Sequence, residues 1–141
     1  MITTTSEKET QKIAKTFAKK LRGGETIGLI GELGAGKTAF VKGLAKGLGI
    51  KRLITSPTFV LMKVYSVKNT TIKHFVHVDA YRIQNAKALT GIGLEDYINS
   101  NDSVVVIEWA DLVKEILPKK RILISFKHTL SEQRMIKFNK K

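Results

Sequence analysis

Two periods organise the apolar positions of this chain. Ile13, Ala14, Phe17, Ala18 and Leu21 recur three or four residues apart, and Ser6 with Glu9 has capping-box spacing, so the pattern predicts an amphipathic helix running to Gly23 and Gly24. Residues 25–30 are short and mostly apolar and read as a strand, and from Lys37 a second helix runs to about Gly47 and Gly49. A glycine-rich turn joins them. After a connector ending in Ser56-Pro57, residues 59–67 and 72–79 read as an antiparallel hairpin turning around Lys68-Asn69-Thr70. Residues 94–98 suggest a helical turn. The uninterrupted β-branched run 104–107 has the form of a strand buried on both faces. A short helix over 111–117 is expected to stop before Pro118, with strands over 121–126 and 134–138 closing the chain. This order predicts a three-layer α/β domain with a mixed parallel and antiparallel sheet, in which the hairpin supplies antiparallel strands beside a parallel core.

Composition narrows the class. At 141 residues, one domain spanning 1–141 is the natural expectation, and an apolar share of 43% suffices for a core. The absence of cysteine excludes disulfides and cysteine-ligated metal centres. No apolar run approaches the roughly 18 residues that a membrane span requires, and residues 1–12 are polar and acidic where a signal peptide would be apolar, so the expected address is the cytoplasm. The formal charge of +13 points to polyanions: RNA, an acidic protein or nucleotides. The lysines extend from Lys8 to Lys141 with only short knots such as Lys119, Lys120 and Arg121, a distribution that a lysine-rich coding bias also produces.

The chemistry concentrates in Gly31-Glu32-Leu33-Gly34-Ala35-Gly36-Lys37-Thr38, which satisfies the Walker A pattern and lies between a predicted strand and a predicted helix. Read without chemistry, it is a glycine-rich turn. Its spacing nevertheless has a physical purpose. Glycines let successive amides turn toward a phosphate while the helix N-terminus faces the same anion. Lys37 would reach the β- and γ-phosphates, and the Thr38 hydroxyl would give one oxygen to Mg2+. ATP and Mg2+ are thus the expected ligands, held by Leu33, Gly34, Ala35, Gly36, Lys37, Thr38 and Ala39.

Such a loop also needs an acid at the end of another strand. Glu108 follows Val104-Val105-Val106-Ile107, the form of a Walker B strand, and Asp79 follows Phe75-Val76-His77-Val78. The more fully buried pattern before Glu108 favours it for the metal, leaving Asp79 to orient water or to support the metal indirectly. Either acid also reads as a solvated strand end. His77 reads as a packing residue, since no second histidine has metal-binding spacing to it.

Three further blocks accompany the loop: Ser56-Pro57-Thr58-Phe59, then His77-Val78-Asp79-Ala80-Tyr81-Arg82, then Glu108-Trp109. In this order and spacing the chain resembles the TsaE family, formerly called YjeE, over nearly its whole length. The resemblance implies an ATPase that works with the TsaB and TsaD proteins in threonylcarbamoyl transfer to adenosine 37 of tRNAs reading codons that begin with A, with tRNA met directly or through the complex. It places the magnesium ligands at Thr38 and Glu108 and further functional positions at Asp79, Thr58 and Trp109. Thr58 would sense the γ-phosphate as a switch threonine does. The family's pocket also draws on the first helix and the C-terminal strands, making Thr10 and Arg134 candidates for the base or ribose. Plain alternatives stand beside these roles: a turn entering a strand for residues 56–59, a core aromatic for Trp109, surface polarity for Thr10 and Arg134. One departure is Ala110-Asp111, where the family commonly has proline and then glutamate.

Other readings separate on named features. A GTPase would carry an Asn-Lys-x-Asp segment and an Asp-x-x-Gly switch, neither of which occurs here. A small-molecule kinase would need an acceptor pocket and usually an arginine-rich lid. A nucleotide-controlled binding module differs less, because an ATPase with no evident arginine finger is slow until a partner completes its site.

Overall fold

A computed structural model describes residues 1–32, 34–55, 61–68, 71–83, 87–129 and 133–140. Its elements in chain order are β1 (Ile2–Thr4), α1 (Glu7–Ala18), β2 (Thr26–Gly31), α2 (Lys37–Gly47), β3 (Met62–Ser66), β4 (His74–Asp79), α3 (Lys87–Thr90), α4 (Leu94–Ile98), β5 (Ser103–Glu108), a 3₁₀ segment (Ala110–Ile116), β6 (Ile122–His128) and β7 (Arg134–Lys140). The seven strands form one sheet in the order β1-β7-β6-β2-β5-β4-β3. Its middle four, β6, β2, β5 and β4, are mutually parallel, while β3 on one side and β7 and β1 on the other run antiparallel to their neighbours. The expected hairpin is present as β3 and β4, and β4 also joins the parallel core.

Strand periodicity sorts the core into two layers. On β5, Val104 and Val106 join the cluster containing Ala14, Ala18, Phe40 and Leu44 of α1 and α2. The alternate residues Val105 and Ile107 join Leu89, Leu94 and Val113 of the opposite layer. A strand buried on both faces therefore has no polar position between Ser103, which opens it, and Glu108, which ends it, which is why residues 104–107 are uniformly β-branched. The helices α1 and α2 approach unusually closely. A Cβ placed on Gly43 would lie 2.3 Å from the Gln11 carbonyl oxygen and 2.6 Å from Ala14 Cβ.

The Ser6 cap forms as its sequence predicts, with the Glu9 amide donating to Ser6 Oγ, while the Glu9 carboxylate reaches one residue further back than in a standard capping box and accepts from the Thr5 amide and hydroxyl. The Thr5 amide, followed by its hydroxyl, holds the Glu9 carboxyl below its ordinary pKa. Three details depart from expectation. The helix α1 stops at Ala18, and Leu21 reaches the core through tighter turns in which Lys20 and Leu21 donate to Phe17 and Ala18 carbonyls. The segment after Trp109 is 3₁₀ rather than α-helical, broken at Val113 (φ −133°, ψ 38°), whose side chain is drawn into the core. Strand β1 was not anticipated; it adds to the sheet edge by pairing Ile2, Thr3 and Thr4 with Ile136, Met135 and Arg134.

Charge is also divided between the layers. Residues 10–24 and 34–55, which supply most of α1, α2 and their connections, carry ten Lys and Arg residues and no Asp or Glu, and the acids of this layer are confined to Glu7 and Glu9 at the start of α1 and to Glu25 and Glu32 beside β2. The opposite layer carries Glu95, Asp96, Asp111 and Glu115 against Lys87 and Lys114, all exposed. No helix among the described residues is long and apolar enough to cross a membrane.

Candidate functional site

In an open α/β sheet, ligands collect where strand order reverses, at the carboxyl ends of the strands. Here that point is the end of β2, whose neighbours β5 and β6 lead to opposite sides of the sheet. The chain leaves β2 at Gly31 and enters α2 at Lys37. Gly34 (φ 80°) and Gly36 (φ 106°) adopt conformations that a side chain disfavours. At Gly36 space is short as well, since a Cβ would approach Arg134 Cδ to 3.0 Å. No side chain caps the N-terminus of α2. Its first amides and its partial positive charge therefore suit an anion.

Lys37 is only 4% exposed. Its Nζ donates to the carbonyl oxygens of Gly31 and of Glu32, the latter at 2.8 Å, and lies 4.0 Å from the centroid of the Trp109 ring. Burial pushes its pKa below the ordinary lysine value, opposed by the carboxylates of Glu108, Asp111, Asp79 and Glu32. The ammonium is therefore held by neutral carbonyls and a ring face, groups that a phosphate would outcompete electrostatically.

The acids arrive by strand register. Asp79 pairs with Glu108 and His77 with Val106 on parallel strands, so alternation turns His77, Asp79 and Glu108 toward the same face as Val104 and Val106, the face covered by α2. Glu108 is 3% exposed. The Thr38 hydroxyl donates to its Oε1 at 3.0 Å, and His77 Nε2 lies 2.6 Å from its Oε2. A carboxylate offers only acceptors, so Nε2 carries the proton in this contact. Asp79 accepts from the Tyr81 amide at 3.0 Å. Trp109, immediately after Glu108, has φ 61°, and its ring meets Tyr81 at a centroid distance of 4.8 Å. A bulky residue with this backbone is a strained feature, here coincident with the lysine contact.

These groups line one cavity of about 550 Å³, within the range of ligand clefts. Of the residues expected from sequence, Gly34, Gly36, Lys37, Thr38, Ala39, Asp79, Glu108, Trp109 and Arg134 line it, and Ala35 is buried in the loop beneath. Thr10 lies elsewhere: it is wholly buried, its hydroxyl bonded to that of Thr4 at 2.8 Å. The first helix reaches the cavity through Glu7, which pairs with Lys42 at 3.6 Å. Leu33 and Thr58 lie outside the described residues. Sequence reading also missed Lys42, Leu61, Tyr81 and Arg82 in the lining. Lys42 follows Thr38 by four residues and so shares its helix face, a spacing that could have revealed it.

The residues present fit a magnesium nucleotide. Among the described residues there is no group of three or more His, Cys, Asp and Glu able to hold a metal unaided. A hydroxyl and one carboxylate 3.0 Å apart instead make a partial set of hard oxygens, the arrangement expected when phosphates and water complete the coordination of Mg2+.

Comparison with known proteins agrees with this architecture. The family model for the threonylcarbamoyl adenosine biosynthesis protein TsaE matches residues 4–136. The chain is 39% identical over 135 residues to the tRNA threonylcarbamoyladenosine biosynthesis protein TsaE of Bacillus subtilis, covering 96% of this chain and 82% of that one. It is 36% identical over 141 residues to the protein of the same name from Rickettsia typhi, covering 99% and 94% respectively. The crystal structure of Bacillus subtilis YdiB superposes with a TM-score of 0.79 at 36% identity, over 97% of this chain and 82% of that chain. With its P-loop NTPase-like α/β domain and a family match over almost its full length, the chain belongs to the TsaE family.

Proposed function

We propose that this protein is an ATP-binding and ATP-hydrolysing component of the machinery that forms threonylcarbamoyladenosine in tRNA, acting in the cytoplasm with TsaB and TsaD. The observation that carries the proposal is the meeting of Thr38 and Glu108 at 3.0 Å beside the buried Lys37. Family membership supplies the process, since the relatives' names assign them to tRNA threonylcarbamoyladenosine biosynthesis.

In this reading the amides of the loop and of the first turn of α2 grip the phosphates, and Lys37 releases its carbonyl contacts to neutralise the β- and γ-phosphate oxygens. Thr38 and Glu108 hold Mg2+, which when bound neutralises charge on the phosphates. Asp79 accepts a hydrogen bond from the attacking water and orients it. Thr58 senses the γ-phosphate, and Arg134, packed against Gly36, contacts the nucleotide beside the phosphates. Arg82, the cavity's other arginine, is exposed. An exposed guanidinium is not preorganised, which supports slow hydrolysis by the isolated chain and acceleration when a partner orders the site.

The test is steady-state ATP hydrolysis by the chain alone and mixed with TsaB and TsaD. Stimulation by the mixture, together with co-elution, is expected. Turnover that ignores both partners would defeat the assignment to this machinery, and phosphate transferred to an added nucleoside or metabolite faster than to water would reassign the protein as a kinase.

A further inference from the structure

A histidine stands behind the acid that faces Thr38. His77 is wholly buried on β4, with Nε2 2.6 Å from Glu108 Oε2. Its other ring nitrogen, Nδ1, is equally buried and makes no hydrogen bond among the described residues. A core position that only needed filling would be served better by carbon, as at Phe75, two residues earlier on the same face of the strand. One nitrogen of His77 is thus left unpaired so that the other can hold Glu108.

The consequence lies in how the two oxygens of Glu108 are engaged. Oε1 faces the Thr38 hydroxyl, and Oε2 is occupied by the imidazole. The contact also fixes the rotation of the carboxylate about its last bond. A carboxylate pinned in this way offers a cation one oxygen unless the histidine contact breaks. Ca2+ takes six to eight oxygens and often both from one carboxylate, whereas Mg2+ favours a compact octahedron of single oxygens.

We propose that His77 is a positioning residue that makes Glu108 a one-oxygen ligand and thereby biases the nucleotide site toward Mg2+ over Ca2+. The inference rests on the magnesium-nucleotide reading given above. It assigns His77 no contact with nucleotide or metal; the histidine acts through Glu108.

Calorimetric titration of ADP into the purified chain tests this, performed without divalent ion, with Mg2+ and with Ca2+. The unsubstituted protein is expected to gain more affinity from Mg2+ than from Ca2+. In His77→Phe, which keeps an aromatic ring but loses the donor, the Mg2+-dependent gain should fall about tenfold, as for other groups that hold metal ligands in place, and the gain with Ca2+ should persist. His77→Gln can place an amide N–H where Nε2 stands, and it should retain the preference for Mg2+. Binding without metal should be unchanged in both variants.

If His77→Phe keeps the full preference, or if His77→Gln loses it as completely as His77→Phe does, the proposal fails. Equal loss of metal-free and metal-dependent binding would mean a purely structural role and would also overturn it. Circular dichroism reports whether His77→Phe has folded; if not, His77→Asn supplies the comparison, because its shorter side chain leaves the amide short of Glu108. An unsubstituted protein that binds no nucleotide in any of the three conditions defeats the proposed function itself. Magnesium-strengthened binding that His77→Phe leaves intact defeats only the role given to the histidine.

Discussion

The cavity proposed to hold nucleotide is built from two unlike walls. The wall from Gly34 to Thr38 is mainly backbone, shaped by positive-φ glycines and the uncapped start of α2, and its one long side chain is Lys37. The wall at the ends of β4 and β5 is made of side chains, with Asp79, Glu108 and Trp109 presented by strand register and Glu108 held from behind by His77. The first wall recognises charge through geometry, so a single added carbon atom is harmful there. The second depends on which atoms its side chains carry, so changes that preserve shape can still abolish its function.

Lys37→Ala should produce the largest effect. Removing a buried cation from a charge-paired contact costs roughly 3 kcal/mol or more, so ATP binding measured by calorimetry should become too weak to detect. Binding that survives would show that the backbone wall suffices alone. Glu108→Gln preserves volume and removes charge. It should eliminate most of the Mg2+-dependent gain in nucleotide affinity, about 1–3 kcal/mol, while metal-free binding persists; an unaltered magnesium response would remove Glu108 from the metal site. Gly36→Ala tests the first wall by steric means alone. The strained φ and the 3.0 Å approach to Arg134 should cost about 1–2 kcal/mol in urea unfolding and weaken nucleotide binding, and a neutral outcome would mean that the loop relaxes freely.

The smallest effect joins the two walls through pH. Burial depresses the Lys37 pKa in the free protein, and the neighbouring carboxylates only partly offset this. A bound triphosphate favours the charged ammonium and raises that pKa, so binding takes up a proton between the two values. Affinity should be fully developed below the free-protein pKa of Lys37. It should fall as pH rises through that point toward the ordinary lysine value of about 10.4, and Lys37→Arg should flatten the decline. A profile that stays flat in the unsubstituted protein would place the ammonium in an unperturbed setting.

The two walls were not equally legible in the sequence. A backbone wall announces itself through glycine spacing, so the loop, its flanking strand and its helix could be placed from Gly31, Gly34, Gly36 and Lys37 alone. The side-chain wall requires knowing which strands are neighbours. Glu108 was recoverable because four apolar residues precede it. From sequence alone His77 reads as packing, because its bond to Glu108 exists only once β4 lies parallel to β5 with His77 opposite Val106. Thr10 departs from the expectation for a related reason: the family resemblance points to the first helix without saying which of its residues faces the cavity, and the pairing of β1 with β7 beside that helix decides that Thr10 meets Thr4 while Glu7 reaches the cavity. The 3₁₀ segment reads as an α-helix from sequence because its apolar spacing resembles that of one, and the turn at Trp109 that precedes it depends on a positive φ in a residue type that rarely adopts one.

The cation-rich helical layer has a consequence beyond the cavity. With cations in excess on α1, α2 and their connections, and Glu95, Asp96, Asp111 and Glu115 outnumbering Lys87 and Lys114 on the reverse, the charge distribution gives an electric moment directed across the sheet. A negatively charged body approaching through dilute salt exerts a torque on such a moment, turning the α1 and α2 side forward before any atoms touch. Orientation is thus partly settled during diffusion, over distances that shrink to about 8 Å at physiological ionic strength.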